Sequence, residues 1–227
     1  ASVPERGNVV MPLDDAAVWL CSRIRAAAGW SVAGPAGRAA EWSLDKTKQV
    51  ALAERAGFRV PETHTVDTPE ELLELEKLLP LVLKPAHAVR VEQDRLVKGP
   101  KWTCADAAEL KTAAAAWAGE GALLAQPFIR GVGEGVFGLA RDGRVNAWSA
   151  HRRVRMMNPH GSGSSACMAQ PVPDRVRAPV QEFIHGCRWN GIFMVELLRD
   201  QEDVFWFIEF NGRAWGSMAL ACRQGMD

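Results

Sequence analysis

Along the chain, apolar positions recur with a helical period in some stretches and with a period of two in others, and Gly, Pro and Asn/Asp punctuate the changes. Residues 8–11 (NVVM) read as a buried strand end, and a helix from about Asp14 to Ala28 follows Pro12. Gly29, Gly34, Pro35 and Gly37 then break the pattern. A second helix is predicted from Ser43 as N-cap to Ala56, with Gly57 at C′. A short strand over 60–66 leads to Thr68-Pro69-Glu70-Glu71, a capping box with Pro at the first helical position, and so to a helix ending near Leu79. Leu81-Val82-Leu83-Lys84 is an apolar strand closed by a lysine, and 86–102 is a polar loop or ragged hairpin.

Thr103 with Asp106 opens an Ala-rich helix to Trp117, and 122–129 is a strand. Residues 134–141 and 144–155 alternate around Asp142-Gly143, the strongest hairpin signal in the chain. Residues 157–173, rich in Gly, Ser and Pro, read as a mobile loop. A helix to about Trp189, strands over 191–198 and 203–211, and a last helix from about Trp215 complete the pattern. Hairpins mixed with covering helices indicate an α+β fold, and no internal repeat is visible.

Composition narrows the function classes. The 227 residues are enough for a real core without a disulfide or metal staple. Lys+Arg and Asp+Glu number 27 each, and this balance argues against a nucleic acid or an acidic membrane surface as the main partner. No apolar run approaches the ~18 residues of a membrane helix, and residues 1–30 lack the layout of a signal peptide. Five scattered cysteines without a Cys-x-x-Cys pair suit reduced thiols, hence a cytoplasmic protein. Nine Trp but no Tyr occur, and no lysine lies beyond Lys111, so a lysine beside an apolar strand draws notice.

The most informative stretch is residues 191–213. Period two puts Phe205, Phe207, Glu209 and Asn211 on one face of their strand, and Ile192, Met194 and Glu196 on one face of the preceding strand. With a turn at Gln201-Glu202, the antiparallel register sets Glu196 opposite Glu209. Two carboxylates so paired would lie ~5 Å apart at Cβ and repel. A hard divalent cation removes the conflict, because two carboxylates and an amide oxygen are ligands of the Mg2+ type. The alternative is that both acids sit at strand ends, facing water or pairing with Arg213 and Arg199.

Lys84 closes a buried strand, where it either holds a phosphate or lays its stem along the sheet. Lys46, in the first turn of a helix, opposes the helix dipole unless an anion is near. In HRRVR (151–155), His151, Arg153 and Arg155 share a face and Arg152 takes the other. Arginines clustered before a flexible loop suit a carboxylate or phosphate clamp, or else a solvent-facing edge.

In this order the pieces resemble the ATP-grasp superfamily, in its carboxylate–amine ligase branch related to the carbamoyl-phosphate synthase large chain. The resemblance runs from Asp45-Lys46 through RAGFRVPE, LVLKP, LLAQPFIRGVGEGVF and HRRVR to MVELL and FIEFNGRAWGS. It implies two α+β subdomains with a nucleotide held between antiparallel sheets. Lys46 and Lys84 would hold ATP phosphates, Gln126, Phe128 and Ile129 would meet the adenine edge, and Glu134 would take the ribose hydroxyls. Glu196, Glu209 and Asn211 would bind Mg2+, with Mn2+ as a substitute. Arg213 with Arg153 or Arg152 would steady the carboxylate and the phosphoryl group in transfer.

The implied reaction phosphorylates a small carboxylate, an amino acid or peptide, to an acyl phosphate that an amine attacks. The alternatives are a silent ATP-binding regulatory or assembly module of the same fold, or a metal-dependent phosphohydrolase. Three positions depart from the family pattern: the loop after Lys84 has one glycine, Pro127 stands at the hinge, and Gly212 replaces a frequent proline. The implied units are the closing part of a preceding α/β domain (1–42), a small ATP-grasp subdomain with its flanking helix (43–125) and a large one with the metal site (126–227). The large unit is expected to be truncated at its C-terminus. Oligomeric state and substrate identity have no signal in the sequence.

Overall fold

The computed structural model describes residues 8–23, 30–35, 37–156 and 164–225. The first elements are β1 (Asn8–Val10), α1 (Asp15–Arg23) and β2 (Trp30–Val32), with β1 and β2 paired in parallel. Val9 is 67% exposed, so NVVM is not a buried strand end. The described part of the first helix ends at Arg23, and the expected extension to Ala28 lies outside the described residues. A 3-10 turn leads to α2 (Glu41–Leu44) and α3 (Lys46–Arg55).

The expected single helix with Ser43 as cap is therefore two. Asp45 is extended, at φ −111° and ψ 104°, and its carboxylate accepts from the Thr47 and Lys48 N–H groups, capping α3. Ser43 instead accepts from Gly212 N at 2.9 Å. Asp45→Ala is expected to lower stability by about 1 kcal/mol, the usual worth of an N-cap. The check is a lower urea midpoint with unchanged slope.

The next elements are β3 (His64–Val66), α4 (Pro69–Leu73), β4 (Leu81–Pro85), β5 (Arg90–Glu92), β6 (Arg95–Val97), β7 (Trp102–Cys104), α5 (Ala107–Trp117) and β8 (Leu123–Pro127), which include a small four-stranded sheet. The sheet order is β3-β8-β4-β7, while β5 and β6 form a separate hairpin in the segment after Lys84. Thr68 forms the predicted capping box with Glu71, though the helix tightens to a 3-10 turn after Leu73. The cap of α5 is Asp106; Thr103 lies in β7 opposite Val82. Leu72, Leu81, Leu83, Leu110 and Trp117 fill the core between this sheet and its helices.

The large sheet comprises β9 (Val132–Arg141), β10 (Arg144–Met156), β11 (Ser164–Gln170), β12 (Gly191–Arg199) and β13 (Phe205–Asn211), in the order β11-β10-β9-β12-β13. All its pairings are antiparallel. Asp142 and Gly143 both take positive φ, 52° and 75°, as the tight hairpin requires. The predicted loop over 157–173 is corrected in its second half: 164–170 is a strand on β10, and 157–163 lies outside the described residues.

Helix α6 (Asp174–Gly186) covers one face of this sheet, and α7 (Met218–Arg223) follows β13. Phe183, Ile184, Trp189, Phe193, Phe207 and Phe210 pack with Leu52 and Ala53 of α3 in the largest core. Among the described residues no helix is long and apolar enough to cross a membrane.

One irregularity sets the site. The β12–β13 register pairs Glu196 with Glu209 and then Leu197 with Phe207, leaving Ile208 as an extra residue. The bulge reverses the alternation, so Phe207 and Phe210 both face the core under α6, and Phe207 does not share a face with Glu209 as simple period two predicts.

Candidate active site

Glu196 and Glu209 face a cleft of about 730 Å3, which is also lined by Lys46, Lys101, Arg153, Asn211 and Arg213. Two backbone bonds and one side-chain amide bring the small-sheet side to it. Lys46 N donates to Ala86 O at 2.8 Å, Ala88 N donates to Leu44 O at 2.8 Å, and the Gln49 amide bonds both Phe210 O (3.0 Å) and Phe210 N (2.9 Å). Gln49, 1% exposed, thus acts as one rung of a ladder and lays the first turn of α3 beside Glu209.

Around Glu209 stand three ammonium groups. Lys46 Nζ lies 3.2 Å from Oε1 and Lys101 Nζ 3.4 Å from Oε2, with side-chain exposures of 4% for Lys46 and 14% for Glu209. Lys84, 4% exposed, reaches across from β4 and donates to Ile208 O at 2.9 Å, the carbonyl at the bulge. Burial opposes charge on Glu209, but Lys46, Lys101 and Lys84 outweigh it and hold the carboxyl well below its ordinary range. Burial, and then repulsion from Lys46 and Lys101 against the pull of Glu209 and Glu196, brings Lys84 down to about 8. Glu209 raises Lys101 against burial.

Glu196 is held by Arg153 Nη2 at 2.8 Å and faces the Asn211 amide at 3.4 Å. Arg213 Nη2 donates to Asn211 Oδ1 at 2.9 Å, and its Nε donates to Asp15 Oδ1 at 2.8 Å. Asp15 also takes Lys98 at 3.0 Å. Although burial works against its charge, Asp15 is held below the usual carboxylate range by Arg213 and Lys98. Among the described residues that line the cleft, Lys46, Lys98, Lys101, Arg153 and Arg213 face three carboxylates, Asp15, Glu196 and Glu209, while Lys84 stands behind Glu209 and is tied to Ile208 O. A neutral chain thus lines this cleft with two more cationic than anionic side chains, a field that draws in anions.

The two acids neither sit at free strand ends nor pair with Arg199. Among the described residues no group of three or more His, Cys, Asp or Glu side chains is placed to hold a metal; the oxygen set is two carboxylates and the Asn211 amide.

Not every predicted residue joins the cleft. Arg152 is exposed and points to the opposite face, because His151 and Arg153 take the cleft side of β10. Glu134 is 3% exposed but pairs in register with Leu197, on the core face, where Arg199 Nε and Gln170 Nε2 each bond it at 2.6 Å. Gln126 Nε2 bonds Thr63 Oγ1 at 2.7 Å, and Phe128 N donates to Pro80 O at 2.9 Å. Gln126, Phe128 and Ile129 do not line the cleft beside the acidic pair. Arg155 does not line it but bonds Ser165 Oγ, at its edge, at 2.9 Å. Asp15, Gln49, Lys98 and Lys101 escaped the sequence reading; the scarcity of lysine drew notice to a lysine beside an apolar strand, which picked out Lys84 and left Lys98 and Lys101 in a polar loop.

No family model matches the sequence, and no curated protein matches it. Solved structures do match. The L-amino acid ligase from Bacillus licheniformis is 22% identical with a TM-score of 0.59, over 83% of this chain and 45% of that one. The RiPP-associated ATP-grasp ligase from Chryseobacterium gregarium is 14% identical, with a TM-score of 0.63 over 88% of this chain and 60% of that one. Biotin carboxylase from Campylobacter jejuni is 16% identical, with a TM-score of 0.69 over 94% of this chain and 50% of that one. The chain thus spans about half the length of these structures. With the small sheet, the large antiparallel sheet and the cleft between them, these likenesses show that the chain has the ATP-grasp fold.

Proposed function

We propose that the cleft binds ATP with Mg2+, passes the γ-phosphoryl group to a small carboxylate, and joins the resulting acyl phosphate to an amine. The observation that carries this reading is the cross-strand pair Glu196–Glu209 with Asn211, ringed by lysines and arginines at the meeting of two sheets. Phosphoryl transfer asks the protein for positioning and charge neutralisation, and this side-chain set suits that demand. Lys46, Lys84 and Lys101 face the phosphates. Arg153 and Arg213 orient the carboxylate and the group in transfer.

The donor set fits Mg2+: Glu196, Glu209 and the Asn211 carbonyl are hard oxygen donors, and their charge is here balanced by Lys46, Lys101 and Arg153. Bound there, the ion supplies charge neutralisation and Lewis acidity at the phosphoryl oxygens. In the coupling step the amine nitrogen forms a bond to the acyl carbon, and the acyl C–O bond breaks with its electron pair leaving on phosphate. An amino acid or peptide as the carboxylate is supported by the matches, one an L-amino acid ligase and another holding ADP with a leader and core peptide. A coupled assay of ADP release over amino acids and dipeptides tests the reading. Release should require Mg2+, a carboxylate and an amine together, and release without a carboxylate would refute it.

A second measurement follows from Lys84. With its ammonium held near 8, the group is about half protonated at that pH, and an anion beside it favours the charged form. Binding of metal-free ATP at pH 8 should therefore take up roughly half a proton. Titration calorimetry in two buffers of different ionisation enthalpy measures it. Lys84→Met should abolish the uptake, and an uptake of zero in the wild type would place the phosphates elsewhere.

A further inference from the structure

One transverse row of the large sheet carries His151, Gly135, Glu196 and Glu209 on the successive strands β10, β9, β12 and β13. Neighbouring strands lie roughly 4.8 Å apart, so His151 and Glu196 stand roughly 10 Å apart on the cleft face. His151 is 7% exposed and fixed on two sides: Nδ1 lies 2.8 Å from Ser217 Oγ, and the Phe137 ring tilts against it at 4.2 Å between centroids.

Nε2 is turned toward Gly135, where an added Cβ would come within 3.2 Å of it and within 2.4 Å of the Phe137 ring. The bare backbone at Gly135 thus keeps the floor low between the imidazole and the acidic pair. Burial, and then the neighbouring Arg153, push His151 down to about 4, so the ring is neutral near pH 7. Of the other charged cleft groups, Glu196 stands beyond Gly135 in the same row. When Nδ1 donates its hydrogen to Ser217 Oγ, Nε2 keeps a free lone pair aimed along the row. Trp215, stacked on Phe137 at 4.6 Å, and Leu220 give this end of the cleft an apolar wall.

We propose that this end seats the amine, that His151 is the catalytic residue that takes its proton, and that Ser217 is the positioning residue that sets the imidazole. The amine would carry an apolar or aromatic body against Trp215 and Leu220. As its nitrogen lone pair forms the C–N bond, the acyl C–O bond breaks, the electron pair leaves on phosphate, and the N–H proton passes to His151 Nε2 and then to water. The assignment rests on the ligase reading, and the experiment separates the two.

Hydroxylamine, largely unprotonated near neutral pH, traps acyl phosphates without needing a base, whereas an ordinary amine needs one. Hydroxamate is measured over the protein L-amino acids as carboxylates, and amide formation is measured with phenethylamine and L-phenylalanine as amines. His151→Gln should raise the hydroxamate-to-amide ratio by roughly a hundredfold, the scale of a lost general base. Ser217→Ala should raise it by roughly tenfold, and Ser217→Thr, which keeps the hydroxyl, should restore it. An unchanged ratio in His151→Gln, or a wild type that makes hydroxamate but no amide with either amine, overturns the assignment. A wild type that makes no hydroxamate refutes the ligase reading itself, and the assignment with it.

Discussion

Glu209→Gln is expected to cut Mg2+-dependent ADP release by at least about a hundredfold, and also to weaken the fold. Both effects have one origin. Glu209 is the meeting point of Lys46 and Lys101 and lies close to Lys84, and two of these lysines are almost wholly buried. Glutamine keeps the shape but removes the charge, so the ion loses a ligand and the ammonium groups lose their counter-charge. Breaking one partner of a buried ion pair costs about 3–5 kcal/mol.

The acid limb of stability gives a separate signature. A carboxyl held below its unfolded pKa stabilises the fold above that unfolded value, and the contribution is lost as pH falls toward the folded value. The wild type should therefore lose stability from about pH 5 downwards, and Glu209→Gln should show a flatter dependence there. Full activity in the variant would remove Glu209 from the metal set.

Gly212→Pro is the second large effect, and it concerns stability. Gly212 is one of the three positions that depart from the pattern the resemblance implies, and its N–H donates to Ser43 Oγ at 2.9 Å. A Cβ at this position would come within 2.2 Å of the ring of Trp189, a side chain with 0% exposure. Gly212→Ala should cost about 1–3 kcal/mol by overpacking. Proline adds the loss of a buried hydrogen bond, so the total should exceed about 3 kcal/mol. Thermal and urea denaturation measure both, and a proline variant as stable as wild type would contradict the packing described. The departure from the common pattern thus has a local cause: Trp189 occupies the room that a side chain at 212 would need.

The sequence revealed the elements with strong local punctuation. The Asp142-Gly143 hairpin, the Thr68 capping box and the Glu196–Glu209 register all follow from local patterns, and the structure has each of them. What escaped it depends on contacts between segments far apart in the chain. The strand over 164–170 has a Ser/Ala-rich sequence with loop character and becomes a strand because β10 offers it an edge. The break at Asp45 is fixed by its cap and by backbone bonds to the segment after β4.

In the site, Lys46, Arg153, Glu196, Glu209, Asn211 and Arg213 come together with Lys84 buried behind Glu209, whereas Arg152 and Glu134 are turned away by the alternation of their own strands. Lys101, Lys98 and Asp15 carry no pattern of their own; only the folded chain brings them to Glu209 and Arg213. The Ile208 bulge is equally silent in the sequence, since a strand with one extra residue looks like one without it.

The central proposal, an acyl phosphate made in this cleft, is tested most directly by following oxygen. A carboxylate that supports ADP release is supplied with both oxygens as 18O, together with ATP, Mg2+ and an amine, and the released phosphate is examined by 31P NMR. Phosphorylation of the carboxylate followed by amine attack leaves one carboxylate oxygen on phosphate, so each phosphate formed should carry one 18O. ADP release with unlabelled phosphate would show that the γ-phosphoryl group goes to water, and would contradict the account.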